Sequence, residues 1–148
     1  MQAMEHTAET RACILIVEDE RIIARDVETA LEDLGYEIVG VASSGAEALA
    51  ALGSKVADIV LMDIKIRGDM DGIQTAEQIK TRFRLPIIYL TAHTDRSTLE
   101  RARASQPFGY IVKPFKIGDM KIAIEAALRQ HTSPRKIKSE GESPNPAQ

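Results

Sequence analysis

Three acidic side chains, a threonine and a lysine each stand directly after a short apolar run of the chain. The run CILIV precedes Glu18 and Asp19, and the run IVLM precedes Asp63. Thr91 follows the run IIYL, and Lys113 follows the run YIV. Taken singly, such residues are usually helix caps, turn residues or solvated surface charges. Their chemistry becomes specific only if the fold brings them together.

Brought together, these groups would suit phosphoryl chemistry. Three carboxylates repel one another unless a cation neutralises them or one of them takes up a proton. Mg²⁺ suits such a cluster because it prefers oxygen ligands and keeps several waters, which leaves positions for phosphoryl oxygens. An aspartate beside the metal can form an acyl phosphate, while a lysine and a hydroxyl contact the phosphoryl oxygens. The set predicts a reversible, covalent charge switch on Asp63, with Mg²⁺ held by Glu18 and Asp19.

The elements that must position this set follow from an alternation of apolar runs and amphipathic stretches. Five such pairs predict a parallel sheet, because a crossover helix lets consecutive strands run in the same direction. We therefore expect an α/β fold with a doubly wound, five-stranded parallel sheet and five helices. The predicted strands span 13–17, 37–41, 59–62, 86–90 and 110–112, and the predicted helices span 20–34, 45–52, 72–83, 95–104 and 117–129. Ligands of such sheets bind at the carboxyl ends of the strands, where all the candidate residues would lie.

The length of 148 residues is that of one domain, and we expect it to fold over 12–130. Residues 1–11 and 131–148 are polar and aperiodic, and they are expected to be a disordered extension and tail. So short a tail would not fold into a DNA-binding or catalytic domain, so output is expected to occur by contact. The single cysteine, Cys13, lies in an apolar run and is interpreted as a small buried hydrophobe.

The charge balance argues against two classes of partner. A formal net charge of −3 does not favour a nucleic-acid-binding or membrane-surface protein. No apolar run approaches the ~18 residues of a membrane span, and the N-terminus lacks the pattern of a signal peptide. A cytoplasmic protein is the expectation.

Over roughly residues 12–128 these motifs resemble the response-regulator receiver family of two-component signalling. The acidic pair of that family matches Glu18 and Asp19 in ILIVEDE, and its phosphoacceptor matches Asp63 in IVLMDI. Its switch hydroxyl matches Thr91 in YLTA, and its lysine matches Lys113 in KPF. The resemblance further implies the flavodoxin-like strand order 2-1-3-4-5.

The resemblance also assigns roles that the spacing of the residues does not. Tyr110 would be the switch aromatic, and Thr91 would move toward the phosphoryl group and make room for it. The backbone carbonyl of Lys65, two positions after Asp63, would be a further metal ligand. The cofactor would be Mg²⁺ or Mn²⁺.

The function implied is that of a stand-alone, single-domain response regulator, which is no enzyme beyond its own phosphorylation and dephosphorylation. Asp63 would take a phosphoryl group from a phosphohistidine of a sensor histidine kinase or a histidine phosphotransfer protein. An unidentified target protein would then bind the face of the fourth helix, fifth strand and fifth helix, which is also a candidate homodimer surface. The alternative is a phosphorelay intermediate that passes the phosphoryl group to a histidine phosphotransfer protein.

Two other functions stay open. A phosphatase or phosphotransferase would use Asp63 as a nucleophile toward small molecules. The second acid of an Asp-x-Asp pair, which protonates the leaving group, is however replaced by Lys65. A receiver that never takes phosphate is less compatible with a chain that has every acidic, hydroxyl and lysine position.

The loop after Asp63 departs from the family pattern. The usual Met-Pro is missing, and segment 65–72 reads KIRGDMDG, one residue longer than the commonest family loop. Lys65 and His93, each two positions after a site residue, would flank the phosphoryl group. We expect these basic side chains to hinder the attacking water and prolong the phosphorylated state; the alternative is that both are ordinary solvated residues.

The last two helices differ in their predicted attachment to the core. The fourth helix offers chiefly Leu99 and Ala102 as apolar anchors, so its docking is expected to be weak. In the fifth helix Ile122 and Ala126 form a second stripe, which is either a partner surface or ordinary exposed residues. Its core face is expected to consist of Ile117, Met120, Ile124, Ala127 and Leu128.

Overall fold

Five strands and five helices alternate in the computed structural model, which describes residues 11–92 and 95–131. The strands are β1 (Cys13–Val17), β2 (Glu37–Ala42), β3 (Ile59–Asp63), β4 (Ile87–Thr91) and β5 (Gly109–Val112). The helices are α1 (Arg21–Asp33), α2 (Gly45–Ser54), α3 (Gly72–Phe83), α4 (Arg96–Ala104) and α5 (Ile117–Gln130). The predicted fold class is confirmed, and each element ends within two residues of its expected bounds. The expected disordered segments fall almost wholly outside the described residues, so the domain limits stay predictions.

All neighbouring strands pair in parallel in the order β2-β1-β3-β4-β5, which confirms the implied topology. Every residue of β1, β3 and β4 is buried, as expected of strands whose apolar runs have no polar alternation. The chain crosses from one side of the sheet to the other between β1 and β3. Their carboxyl ends therefore flank the crevice where such sheets bind ligands.

Two apolar layers cover the sheet, because successive strand side chains point to opposite faces. Leu15 and Val17 of β1 pack with α2 and α3, whereas Ile14 and Ile16 pack with α1 and α5. Cys13 is buried at the start of the same strand, as the sequence predicted. None of the helices in the described ranges is long and apolar enough to cross a membrane. The rigid centre of the molecule is thus the β1-β3-β4 unit that ends at the candidate site.

Apolar contacts hold α4 weakly, as expected. Of its nine residues, Ala102 alone is buried, and Leu99 is half-buried. Polar contacts hold its C-terminal end as well: the hydroxyl groups of Tyr89 and Ser105 are 2.6 Å apart, and both are buried. The sequence prediction missed this link.

Helix α3 provides two further polar links to the same end of α4. The ammonium group of Lys80 donates hydrogen bonds to the carbonyl oxygens of Ser105 and Gln106, the latter at 3.3 Å. The guanidinium of Arg101 lies 2.9 Å from a carboxylate oxygen of Asp71, which caps the N-terminus of α3. The C-terminal half of α4 is therefore attached by hydrogen bonds and charge.

Helix α5 corrects one prediction. Met120, Ile124 and Ala127 are fully buried, but Ile117 is 50% exposed. Ile117 is the first residue of the helix, and the buried residues begin one turn later at Met120, so the assignment of Ile117 to the core was wrong. Ile122 lies outside the core as predicted, with 68% exposure.

Candidate functional site

Three carboxylates meet where β1 and β3 end. Glu18, Asp19 and Asp63 each place an oxygen within 4.8 Å of the others. The register of the sheet explains the meeting, since the last residue of β1, Val17, pairs with Met62 immediately before Asp63. Glu18 and Asp63 are buried, whereas Asp19 is partly exposed. An all-oxygen cluster that is open to solvent on one side has the donor chemistry that a hard divalent cation needs.

Lys113, which follows β5, contacts the two buried carboxylates. Its Nζ donates hydrogen bonds to Glu18 Oε1 at 2.9 Å and to Asp63 Oδ2 at 3.1 Å. The peptide bond between Lys113 and Pro114 is cis, and the Lys113 amide donates to the carbonyl oxygen of Thr91 at 2.7 Å. The lysine thus bridges the ends of strands that are far apart in sequence.

Burial and the contacts in this cluster shift the pKa values of Glu18 and Lys113. Burial, together with the neighbouring Asp63 carboxylate, raises the pKa of Glu18 to about 7, although Lys113 opposes this. Burial by itself lowers the pKa of Lys113, but its hydrogen bonds to Glu18 and Asp63 outweigh that effect and the pKa is raised. In the metal-free protein, Glu18 therefore gains or loses a proton near neutral pH.

Thr91 and Lys65 complete the walls of a cleft above Asp63. The cleft has a volume of about 300 Å³ and is also lined by Asp19 and Lys113. Thr91 ends β4, is buried, and donates its hydroxyl to the carbonyl oxygen of Ala92 at 3.2 Å. The cleft is large enough for a phosphoryl group and its waters.

The remaining residues predicted for the site lie at its margin, or they fall outside the residues that the structure describes. The Lys65 amide donates to Asp63 Oδ1 at 3.2 Å, while its side chain is exposed. The roles of Lys65 as a metal ligand and a lifetime modulator stay predictions, and His93 lies outside the described residues. Tyr110 is not in the cleft: it lies on β5, is 41% exposed, and its ring centroid is 6.1 Å from that of Tyr89.

Sequence reasoning missed two residues that the structure places beside the cluster. Gly72, the first residue of α3, donates its amide to the carbonyl oxygen of Ile64 at 2.7 Å, so the helix begins against the chain that carries Asp63. Arg67 in the intervening loop lies with its Nε 3.8 Å from Asp19 Oδ2. The Asp-Gly pair that opens α3 was a usable signal for Gly72, whereas nothing local in the sequence indicates the position of Arg67.

Replacement of Lys113 with methionine is expected to destabilise the metal-free protein by about 2 kcal/mol. The variant leaves two adjacent buried carboxylates without their cation. The loss should be greater above the Glu18 pKa of about 7 than below it, because protonated Glu18 no longer repels Asp63. Urea unfolding in the presence of a chelator measures the effect, with the exposed Lys121→Met as control. Equal stability of the two variants at high pH would contradict it.

Comparison with known proteins gives a consistent result. Residues 14–125 match the family model of the response regulator receiver domain. The chain is 43% identical over 115 residues to the transcriptional regulatory protein PdtaR of Mycobacterium tuberculosis, a match that covers 78% of this chain and 56% of that protein. It is 34% identical to the phyllosphere-induced regulator PhyR of Methylorubrum extorquens, covering 89% of this chain and 49% of the relative. The chain thus spans about half the length of these curated relatives.

Solved structures of receiver domains also superpose on this chain. The signal receiver domain of a modulated diguanylate cyclase from Desulfovibrio desulfuricans G20 superposes with a TM-score of 0.78 at 38% identity, over 81% of this chain and 95% of that one. The receiver domain of NtrX from Brucella abortus superposes with a TM-score of 0.73 at 31% identity, over 78% of this chain and 98% of that one.

Proposed function

The chain belongs to the family of response regulator receiver domains, and we propose that it accepts a phosphoryl group on Asp63 in a Mg²⁺-dependent reaction. The observation that carries this proposal is the meeting of the Asp63 carboxylate with two further carboxylates and with Lys113 in one open cleft. The three carboxylates and the Lys65 carbonyl oxygen would hold the metal. When bound, the ion would neutralise charge on the phosphoryl oxygens.

The chain's own residues account for the remaining steps. A carboxylate oxygen of Asp63 attacks phosphorus, the new O–P bond forms, and the N–P bond of the phosphohistidine donor breaks with its electron pair returning to the imidazole. Lys113, already 3.1 Å from Asp63 Oδ2, transfers its hydrogen bond to a phosphoryl oxygen. The Thr91 hydroxyl leaves the Ala92 carbonyl and donates to another phosphoryl oxygen. Thr91 and Lys113 already line the cleft that holds Asp63, so both would act on the phosphoryl group from within the same site.

Output is proposed to run through the face formed by α4, β5 and α5. Tyr110 and Val112 of β5 and Ile122 of α5 expose 41%, 65% and 68% of their surface, which offers apolar area that a partner could cover. Because few apolar contacts hold α4 and its polar links lie at its C-terminal half, a displacement of Thr91 at the end of β4 would shift the N-terminal end of α4 at little cost. A target protein or a second copy of the chain would recognise the altered face. Onward transfer to a histidine phosphotransfer protein is the second candidate, since Asp63 lies in an open cleft.

One experiment separates a switch from an Asp-nucleophile phosphatase and from a receiver that takes no phosphate. The protein is incubated with acetyl phosphate, with and without Mg²⁺, and the intact mass and the released phosphate are followed. We expect a single phosphoryl adduct, stable in acid and labile in base, that forms only with the metal. Rapid continuous turnover of the donor would favour the phosphatase, and the absence of any adduct would refute phosphoryl acceptance.

Mg²⁺ alone is expected to stabilise the protein against unfolding. At a concentration about 100 times its Kd, a ligand that binds only the folded state adds about 2.7 kcal/mol. The repulsion among the three carboxylates is relieved by the ion, so Asp19→Asn should abolish most of the gain. Thermal denaturation at several Mg²⁺ concentrations measures it, and Asp26→Asn, an exposed carboxylate on α1, should respond like the wild type. An undiminished response in Asp19→Asn would remove Asp19 from the ligand set.

A further inference from the structure

Lys113 and Arg67, the cations that form ion pairs with the carboxylate cluster, lie on different sides of it. Lys113 contacts the buried Glu18 and Asp63, from the side where a phosphoryl group would enter. Arg67 contacts Asp19, the partly exposed carboxylate of the cluster: its Nε lies 3.8 Å from Asp19 Oδ2. The side chain of Asp19 is 21% exposed and that of Arg67 is 68% exposed. Arg67 therefore stands on the solvent side of the cluster, where a hydrated cation would approach.

The backbone holds Arg67 in this position. Its main chain forms an isolated parallel bridge with Ser44, the residue that caps α2 through a 3.2 Å hydrogen bond from the Glu47 amide. Gly68 follows with a φ of +105°, a conformation that suits glycine and turns the loop back toward α3. The main chain at Arg67 is thus attached to the residue that caps α2. This loop is the segment in which the sequence departs from the common family pattern.

We propose that Arg67 is a tethered counter-ion, which neutralises Asp19 in the metal-free protein and must withdraw before a divalent cation binds there. The inference rests on the proposed metal site. Asp19 cannot contact the guanidinium and a metal ion closely at the same time without bringing two cations together. Arginine stays charged at every physiological pH, so the competition is constant. The affinity for Mg²⁺ is thereby reduced, and the Arg67 side chain leaves Asp19 when the metal binds, while the main-chain bridge to Ser44 keeps the loop in place.

Titration calorimetry with Mg²⁺ tests the proposal in the intact chain. Arg67→Ala should tighten binding roughly two- to five-fold at low ionic strength, the scale of an exposed ion pair, and the gain should fade at high salt. Arg21→Ala is the matched control, because Arg21 is also an exposed arginine that lines the groove beside Asp19. It should change the affinity by less than half as much. Equal gains in Mg²⁺ affinity in the two variants would show that any nearby positive charge has the same effect, and would overturn the proposed role of Arg67.

A spectroscopic readout tests the contact itself. In nitrogen-15 spectra of the arginine side chains, the Nε–H signal that disappears in Arg67→Ala should shift on addition of Mg²⁺, while the signal lost in Arg21→Ala should not. Wild-type protein that binds Mg²⁺ with no shift of the Arg67 signal, or an Arg67→Ala variant that binds no more tightly, overturns this inference and leaves the proposed function intact. A wild type that binds no Mg²⁺ overturns both.

Discussion

Replacement of Asp63 with asparagine is expected to abolish phosphoryl acceptance, with a loss of at least about 10³-fold, the scale seen when an enzyme nucleophile is removed. The amide that replaces the carboxylate has no negative oxygen to attack phosphorus, and it is a poorer ligand for a hard cation. The variant should nevertheless fold, because asparagine has nearly the same shape and removes the carboxylate that, in addition to burial, raises the pKa of Glu18. Intact-mass measurement after incubation with Mg²⁺ and acetyl phosphate detects the adduct.

The matched control for this result is Asp69→Asn. Asp69 is an exposed carboxylate in the same loop, six positions further along the chain. It should keep the wild-type rate and extent of phosphorylation. Accumulation of a base-labile adduct in Asp63→Asn at the wild-type level would show that another residue accepts the phosphoryl group.

Replacement of Gly72 with alanine is expected to cost about 3 kcal/mol in the free energy of unfolding, at the upper end of the cost of overpacking. An added Cβ would lie 2.0 Å from the carbonyl oxygen of Asp63 and 2.8 Å from the Cα atom of Ile64. Both atoms belong to the backbone, so no side-chain rotation relieves the clash. The start of α3 must instead move away from β3 and disturb the chain that carries the Asp63 carboxylate.

Urea unfolding of Gly72→Ala and Gly53→Ala gives the comparison. Gly53 also lies within a helix, but a Cβ there meets nothing within 4 Å. The Gly53 variant should therefore be unchanged or more stable, by up to about 1 kcal/mol, because alanine favours helix more than glycine. A Gly72 variant as stable as the Gly53 variant would mean that α3 is free to shift at no cost.

The parts of this molecule that were predicted from sequence are those fixed by local pattern. The runs around Ile16, Leu61 and Ile88 lack polar residues, and such runs fold as central strands wherever helices cover both faces. Once the strands are parallel, residues that end them, such as Glu18 and Asp63, must share an edge. Geometry that follows from the period of the apolar residues and from the direction of the strands can therefore be inferred from one sequence.

The parts that were missed depend on contacts between segments that are distant in sequence. Arg67 lies beside Asp19 because its loop bridges Ser44, and no local pattern encodes that bridge. Ile117 follows the period of the α5 core face, yet periodicity does not report where along the helix burial begins. The link from Tyr89 to Ser105 joins a strand to the end of a helix through two hydroxyl groups. Such polar contacts between elements are set by the packed structure and not by the spacing of residues.

The attachment of α4 has a thermodynamic consequence. Since the helix fully buries one small side chain, Ala102, and is held at its C-terminal half by hydrogen bonds and the ion pair of Arg101 with Asp71, its displacement exposes little apolar surface. The heat-capacity change of such a movement is small, because that quantity follows the apolar area exposed. The free-energy difference between positions of α4 should therefore change almost linearly with temperature. Ionic strength should also change it, through the ion pair of Arg101 and Asp71. The response of this helix to temperature is therefore governed by the enthalpy of its hydrogen bonds and its ion pair, and not by the hydration of apolar surface.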